Sequence, residues 1–352
     1  MKVLVTGGAG YIGSHAVRAL RAHGHTPVVF DNLFRGHREA LLDVPLIQGD
    51  LLEPGAIDAA LGSSSFDAVL HFAALTYVGE SVGHPDLYYR NNFAGTLQLV
   101  EAMRRHRVTR LIFSSTAAVY GDPVSVPIDE DHPLAPVNPY GRSKLMVEWL
   151  LRDCDAAYGF RHVALRYFNA AGSSRDGVIG EDHTPETHLI PRVLMAITRE
   201  IPEVTILGTD WETPDGTCVR DFIHVEDLAE AHVLALEHLG RGGRSAAWNL
   251  GTGQGHSVRE VIQSAEKVSG RKVPVVEGDR REGDPAVLVA SAERARKELG
   301  WQPRIGSLDD IVASAWRWIE KGGRYATPAT GADKLAAQNP IKMKGTKTRS
   351  EG

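Results

Sequence analysis

Residues 1–13 read Met-Lys-Val-Leu-Val-Thr-Gly-Gly-Ala-Gly-Tyr-Ile-Gly, and no other stretch limits the fold as strongly. Val3-Leu4-Val5 is a short apolar run of the kind that forms a buried parallel strand. The chain then breaks into glycines, and an amphipathic run follows from Tyr11 to Ala22. Strand, glycine turn and helix in that order predict a βαβ unit that holds a dinucleotide. Gly7 allows the tight turn, Gly10 lets the backbone approach a pyrophosphate, and Gly13 lets helix and strand pack closely. The pyrophosphate would lie on the free N–H groups of the helix start, at Tyr11 and Ile12. A second strand, Pro27 to Phe30, ends in Asp31 and Asn32. An acidic residue there suits ribose hydroxyls and repels a 2′-phosphate, which predicts NAD. Arg35 keeps NADP as the alternative.

Strand and helix patterns go on alternating. A weak helix near 36–42 is followed by a strand from Pro45 to Gln48, a helix near 53–61 and a strand from Phe66 to Phe72. A long helix from Pro85 to His106, carrying Asn91, precedes a fifth strand from Thr109 to Phe113. This predicts a Rossmann-like, doubly wound parallel α/β sheet with ligands at the carboxyl ends of its strands. Asp31, Asp50 (with Leu51 beside it), Phe72, Ala73, Ala74, Ser114, Ser115 and Thr116 should then line one crevice. Asp50 reads equally as an adenine contact and as a cap for the next helix.

The strand from Arg161 to Phe168, including Tyr167, still belongs to the first sheet. Glycine, proline and charge thicken from Gly172 to Pro185. Helices near 188–199, 225–239 and 257–268 and strands near 204–207 and 247–250 follow. A smaller α/β substrate lobe that exchanges elements with the first sheet is expected. The division is 1–170 for the cofactor domain and 171–321 for the lobe, with a small, polar and disordered tail over 322–352.

A net charge of −5 with no polybasic stripe argues against nucleic acid and anionic membranes as partners. No apolar run reaches transmembrane length, and Lys2 leads directly into the first strand, so no signal peptide is expected. Cys154 and Cys218 lie far apart, as expected in a reducing cytoplasm. His183 and His188 are near neighbours without other metal-ligand company. They read as solvated or core histidines, and no metal is expected.

The sharpest catalytic signal is Tyr140-Gly-Arg-Ser-Lys144, set behind Pro139 at the start of an amphipathic run to Ala157. One helical turn places Tyr140 and Lys144 on the same face. An ammonium beside a phenol lowers its pKa from about 10, which would make Tyr140 a base near neutral pH. Thr116, in the hydroxyl cluster closing the fifth strand, would bond the reacting oxygen.

These residues carry a resemblance. The glycine pattern, His71-Phe72-Ala73-Ala74, the run Ser114 to Gly121, and Tyr140 with Lys144 resemble the extended short-chain dehydrogenase/reductase family. Val78-Gly79-Glu80-Ser81, Arg166-Tyr167-Phe168-Asn169, the run Asp215 to Val225 and Arg281-Glu282-Gly283-Asp284 resemble its UDP-sugar 4-epimerase branch, over about residues 1–320. The resemblance implies tightly bound NAD, Tyr140 as the proton acceptor, and hydride leaving C4 of UDP-glucose or UDP-galactose and returning to the opposite face of a transient 4-keto sugar. It implies that Arg220 and Arg281 hold the diphosphate and Asp284 the uridine ribose. Asn169, His188, Leu189 and Leu288 would line the rest of the substrate site. Phe168 would join the cofactor contacts, and a homodimer would form through the helices at 85–106 and 138–157. Ala117 and Ala118 stand where dehydratases of the family carry an Asp-Glu pair, which favours epimerisation alone. Thr76 replaces a lysine that contacts the cofactor phosphates, and Leu288 replaces a gating tyrosine, so pentose or N-acetylhexosamine substrates remain alternatives. A net sugar-nucleotide reductase and a non-catalytic NAD-sensing scaffold are the competing readings.

Overall fold

The computed structural model describes residues 1–281 and 283–326. Its centre is a seven-stranded, all-parallel sheet in the order β10-β6-β5-β4-β1-β2-β3. These strands are β1 (Lys2–Thr6), β2 (Thr26–Asp31), β3 (Leu46–Gln48), β4 (Ala68–His71), β5 (Arg110–Thr116), β6 (Arg161–Tyr167) and β10 (Ala246–Leu250). β1 and β4 are fully buried apart from the half-buried Lys2, which explains their unbroken apolar runs. Helix α1 (Tyr11–Ala22) turns its buried stripe, Ala16, Val17 and Leu20, to one face of the sheet. α2 (Ala56–Gly62), α5 (Gly95–Arg105) and α6 (Pro139–Tyr158) cover the other through Ile57, Leu61, Leu99, Met103, Val147 and Leu151.

Two expectations are revised. The single helix expected from Pro85 to His106 is α4 (Pro85–Tyr88), a π-type turn (Tyr89–Ala94) and α5. The wide turn aims the buried Asn92 at the backbone of Leu75, bonding both its N–H and its C=O, so a side chain overrides helical regularity. The fifth strand does not close before Ser114. Ser114, Ser115 and Thr116 pair with Leu165, Arg166 and Tyr167, because backbone pairing is indifferent to their hydroxyls.

β7 (Asn169–Ala171), β9 (Val219–His224), β11 (Gly255–Ser257) and β13 (Val287–Leu288) form a second sheet around β9. β8 (Val204–Leu207) pairs with β12 (Val275–Gly278). α7 (Leu189–Thr198), α9 (Val258–Ser269) and α10 (Leu308–Glu320) share a separate core with them. α8 (Val225–Gly240) lies instead on α1 and the main sheet, over β5 and β6. The short helix α3 (Val78–Gly83) follows β4. Ordered contacts run past the expected start of the tail. The Tyr325 N–H bonds Asp182, and its ring packs on Trp318 and His37. The remainder of the expected tail, 327–352, lies outside the described residues. No helix among the described residues is long and apolar enough to cross a membrane.

Candidate active site

The glycine turn shows which of its three glycines the fold itself needs. Gly7 sits at φ +73°, and a Cβ there would lie 2.4 Å from the Ala73 nitrogen. A Cβ on Gly13 would lie 2.2 Å from the Gly7 oxygen. Gly10 is extended, and its Cβ would meet nothing nearer than the Gly7 oxygen at 3.4 Å. Gly10 is also the N-cap of α1 and gives no side-chain cap, so the first-turn amides of Tyr11, Ile12 and Gly13 are open to an anion. A dinucleotide pyrophosphate fits this cradle.

The other expected cofactor residues ring the same edge of the sheet. Each Asp31 oxygen accepts a backbone N–H, from Ala9 and from Leu33, and burial raises the carboxyl pKa. Lone pairs remain for ribose hydroxyls. Asn32 donates to Asp50, which also accepts the Leu52 N–H, so Asp50 caps a turn. That is the local-cap reading of Asp50 in modified form, since α2 begins later, at Ala56. Leu51 is buried, and Ile12, Phe72 and Ala73 are partly buried against the two main cores. Ala74 follows at the same strand end. Asn91 bonds only its neighbour Asn92 among the contacts present. Thr76 is exposed, but the Arg35 guanidinium stacks 4.0 Å from the ring of Tyr77 next to it. Arg35 Nη2 is paired with Glu80, while Nε and Nη1 are buried without partners.

Tyr140 and Lys144 open α6, where Asn138 caps the helix by accepting the Gly141 N–H and Pro139 holds the first position. Tyr140 is buried beside Thr116, which ends β5 and accepts the Ala118 N–H through its hydroxyl. Burial raises the phenol above its usual value and the nearby Thr116 hydroxyl offsets part of that. Lys144 is buried against the Phe113 ring and donates to the Ser114 carbonyl at 2.8 Å. Burial lowers its pKa to about 7. The expectation that the ammonium acidifies the phenol is therefore not met in this arrangement. A buried ammonium takes the nearest acceptor, here a carbonyl. The Ser114 hydroxyl bonds Tyr167.

Behind these residues lies a network not singled out from the sequence. Glu148 accepts from Ser115 and pairs with Arg166 at 2.6 Å, both nearly fully buried. Arg166 donates to the Tyr120 hydroxyl, which donates to Asn249. Breaking such a pair from one side costs about 3–5 kcal/mol. Glu148 is one turn beyond Lys144, so helical spacing could have found it.

The expected substrate residues form two groups. Arg281 makes a two-bond pair with Asp284, and Arg220 reaches the same carboxylate at 3.9 Å and the Val219 carbonyl at 2.8 Å. Leu288 lies opposite Arg220 in the β13–β9 ladder and packs, with Phe168, against Ala117, Tyr120 and Leu145. Asn169 starts β7, which pairs with β9. His188 caps α7, whose first residue is Leu189. The view of His183 and His188 as histidines without ligand company is overturned. Folding of the 181–188 loop brings Glu181 and Glu186 to them, with all four donor atoms within 4.8 Å of one another. Burial alone would lower both imidazoles, but the carboxylates outweigh it, pushing His183 up to about 9 and His188 well above its usual value.

A parallel α/β sheet with an open glycine cradle at its carboxyl edge, and Tyr, Lys and Thr beside it, defines a nucleotide-dependent enzyme of the dehydrogenase type. The chain belongs to the NAD dependent epimerase/dehydratase family, whose model matches residues 3–251. Within that family it is 50% identical over 318 residues to a UDP-glucose 4-epimerase of Halalkalibacterium halodurans, covering 90% of this chain and 95% of the relative. Its structure is similar to that of the UDP-glucose 4-epimerase from Brucella ovis in complex with NAD. The TM-score there is 0.88 at 50% identity, over 90% of this chain and 97% of the other. The enzyme from Bifidobacterium longum, in complex with NAD+ and UDP, matches with a TM-score of 0.87 at 40% identity, over 92% and 99%.

Proposed function

We propose that this protein interconverts UDP-glucose and UDP-galactose by inverting C4 of the sugar, with NAD retained through each turnover. The observation that carries this reading is the buried Tyr140 beside Thr116, with Lys144 one turn on, at the same sheet edge as the open Gly10 cradle. Relatives and structural neighbours at 40–50% identity include UDP-glucose 4-epimerases solved with NAD.

Bound NAD would supply the two-way redox chemistry at C4. Gly7, Gly10, Tyr11, Ile12 and Gly13 cradle its pyrophosphate, while Asp31, Asn32, Asp50 and Leu51 face its adenosine side. Phe72, Ala73, Ala74, Asn91, Ser114, Tyr167 and Phe168 complete its walls. Arg35, with two unpartnered nitrogens, supplies the phosphate-directed cation that Thr76 lacks. Tyr140 takes the proton from the 4-hydroxyl and returns it once the sugar has turned over, while Thr116 holds the C4 oxygen. Lys144 turns its charge from the Ser114 carbonyl towards the phenol. Ala117 and Ala118 offer no acid or base, so elimination has no path. Arg220 and Arg281 exchange Asp284 and backbone carbonyls for the diphosphate, freeing Asp284 for the uridine ribose. Asn169, His188 and Leu189 line the remainder. Leu288 in place of a ring leaves room for a 2-acetamido group, so N-acetylhexosamine nucleotides are the second reading.

Residues 1–170, with α8 and β10 added to their sheet, serve the cofactor, and the rest of 171–321 serves the sugar nucleotide. The active form is a cytoplasmic homodimer joined through α5 and α6, where Trp149 and Tyr158 are exposed and Arg104 stacks on Tyr158 at 3.7 Å. The test is Tyr140→Phe. Conversion of UDP-galactose, followed by product separation, should fall by about 100-fold or more, with NAD still bound and no net reduced nicotinamide formed by the wild type. Undiminished conversion by the variant would sink the proposal.

A further inference from the structure

We propose that Glu181, His183, Glu186 and His188 form a binding site for one divalent transition-metal ion of the zinc type. The four residues occupy a single loop between β7 and α7. His183 Nδ1 lies 3.2 Å from Glu181 Oε1 and 3.5 Å from Glu186 Oε2. His188 Nδ1 lies 2.8 Å from Glu181 Oε1 and 2.8 Å from Glu186 Oε1. A tetrahedral zinc ion with bonds of about 2.0–2.1 Å has ligand–ligand edges of about 3.3–3.4 Å. The observed edges bracket that value, so small shifts would seat an ion.

Proton counting gives an independent reason. An imidazole Nδ1 carries at most one hydrogen. That of His188 faces two carboxylate oxygens and makes its hydrogen bond with Glu186. Glu186 Oε1 already accepts the backbone N–H groups of Thr187 and His188. Glu181 Oε1 faces both ring nitrogens and is hydrogen-bonded to neither, although its side chain is only 6% exposed. His183 Nδ1 is likewise buried without a hydrogen bond. Buried polar atoms are rarely left so. A single cation at the point where they converge would partner all of them at once. Two carboxylates and two neutral imidazoles also balance a divalent charge.

The donor set selects the metal. Imidazole with carboxylate suits zinc, cobalt or nickel, whereas calcium and magnesium take oxygen ligands alone. The His188 side chain is 42% exposed, which leaves the ion a way in. The loop is held from outside by tyrosines. Tyr77 donates to the Pro185 carbonyl at 2.9 Å, and the rings of Tyr11 and Tyr77 each stand edge-on to His183 at 6.3 Å. An ion here would lock the start of α7 to the glycine turn through Tyr11. The role is structural, and it holds whichever sugar is turned over.

The experiment uses the full chain, stripped with a chelator and titrated with zinc sulfate by calorimetry and with cobalt(II) by visible absorption. One zinc per chain is expected, at micromolar or tighter affinity. Cobalt should give the intense visible bands of a low-coordinate nitrogen–oxygen site. Losing one ligand should cost at least the roughly 10–100-fold known for outer-shell partners, so Glu181→Gln and His183→Gln should each weaken zinc by that much or more. His106→Gln, at the separate Asp58 pair, should leave it unchanged. Absence of saturable one-to-one binding by the wild type would overturn the proposal, as would affinity unaltered in both variants. Should a variant not fold, the wild-type stoichiometry and cobalt spectrum decide alone, weak octahedral bands counting against the site.

Discussion

Replacing Gly10 by alanine should separate cofactor affinity from stability. The backbone there is at φ −77° and ψ 174°, which alanine adopts without strain. The added methyl meets only the Gly7 oxygen, at 3.4 Å. Alanine is a poorer N-cap than glycine, at a cost of up to about 1 kcal/mol. It also removes unfolded-chain freedom, a gain of about 0.4–1 kcal/mol. The two nearly cancel, so the nucleotide-stripped variant should unfold within about 2–4 °C of wild type. The same methyl projects into the space where a pyrophosphate would meet the first-turn amides. Losing one charge-assisted hydrogen bond is worth about 1.5–3 kcal/mol, which is roughly a 10- to 150-fold loss of NAD affinity. The measurements are thermal unfolding of stripped protein and calorimetric titration with NAD. Gly13→Ala is the contrast, since its methyl would lie 2.2 Å from the Gly7 oxygen and should prevent folding. NAD binding by Gly10→Ala at wild-type affinity would refute the cradle. So would a stripped variant as unstable as Gly13→Ala.

Two further outcomes are expected. Lys144 has its pKa lowered to about 7 by burial, so between about 7 and its unfolded value the unfolded chain holds the extra proton. Its contribution to stability therefore rises with pH through that window and is flat below it. Unfolding of stripped wild type and Lys144→Met across roughly pH 6–10 should show wild type gaining on the variant as pH rises, and a constant difference would refute the lowered lysine pKa. Leu288→Tyr should cut turnover of UDP-N-acetylgalactosamine by about tenfold or more while sparing UDP-galactose, because a ring fills space that a substrate group needs. Equal loss on both would show that Leu288 does not gate the sugar.

The glycine turn, the alternating elements and the Tyr140–Lys144 pair were legible because each is a local pattern with a fixed period. What escaped was non-local. Ser114 to Thr116 read as the close of the fifth strand because hydroxyls signal turns, yet their backbone still pairs with Leu165 to Tyr167 from a distant segment. β7 and β13 are too short for periodicity, and only their pairing with β9 makes them strands. Glu181 and Glu186 stand beside His183 and His188 in the sequence, but their convergence depends on how the loop folds. The expected pull of Lys144 on the phenol rested on helical spacing alone, which does not show the competing carbonyl of Ser114.

β10 gives the protein an order of assembly. It is the edge strand of the cofactor sheet, paired along β6 from Ala246–Val163 to Leu250–Tyr167, with Trp248 sealed beneath it. During synthesis every other strand of that sheet leaves the ribosome first. Until Leu250 follows, β6 presents an open hydrogen-bonding edge and the core lacks Trp248. An exposed parallel edge invites pairing with other chains. The nascent chain therefore carries its greatest aggregation hazard over the interval in which the substrate lobe is being made, and a fragment ending at 170 would keep that hazard permanently.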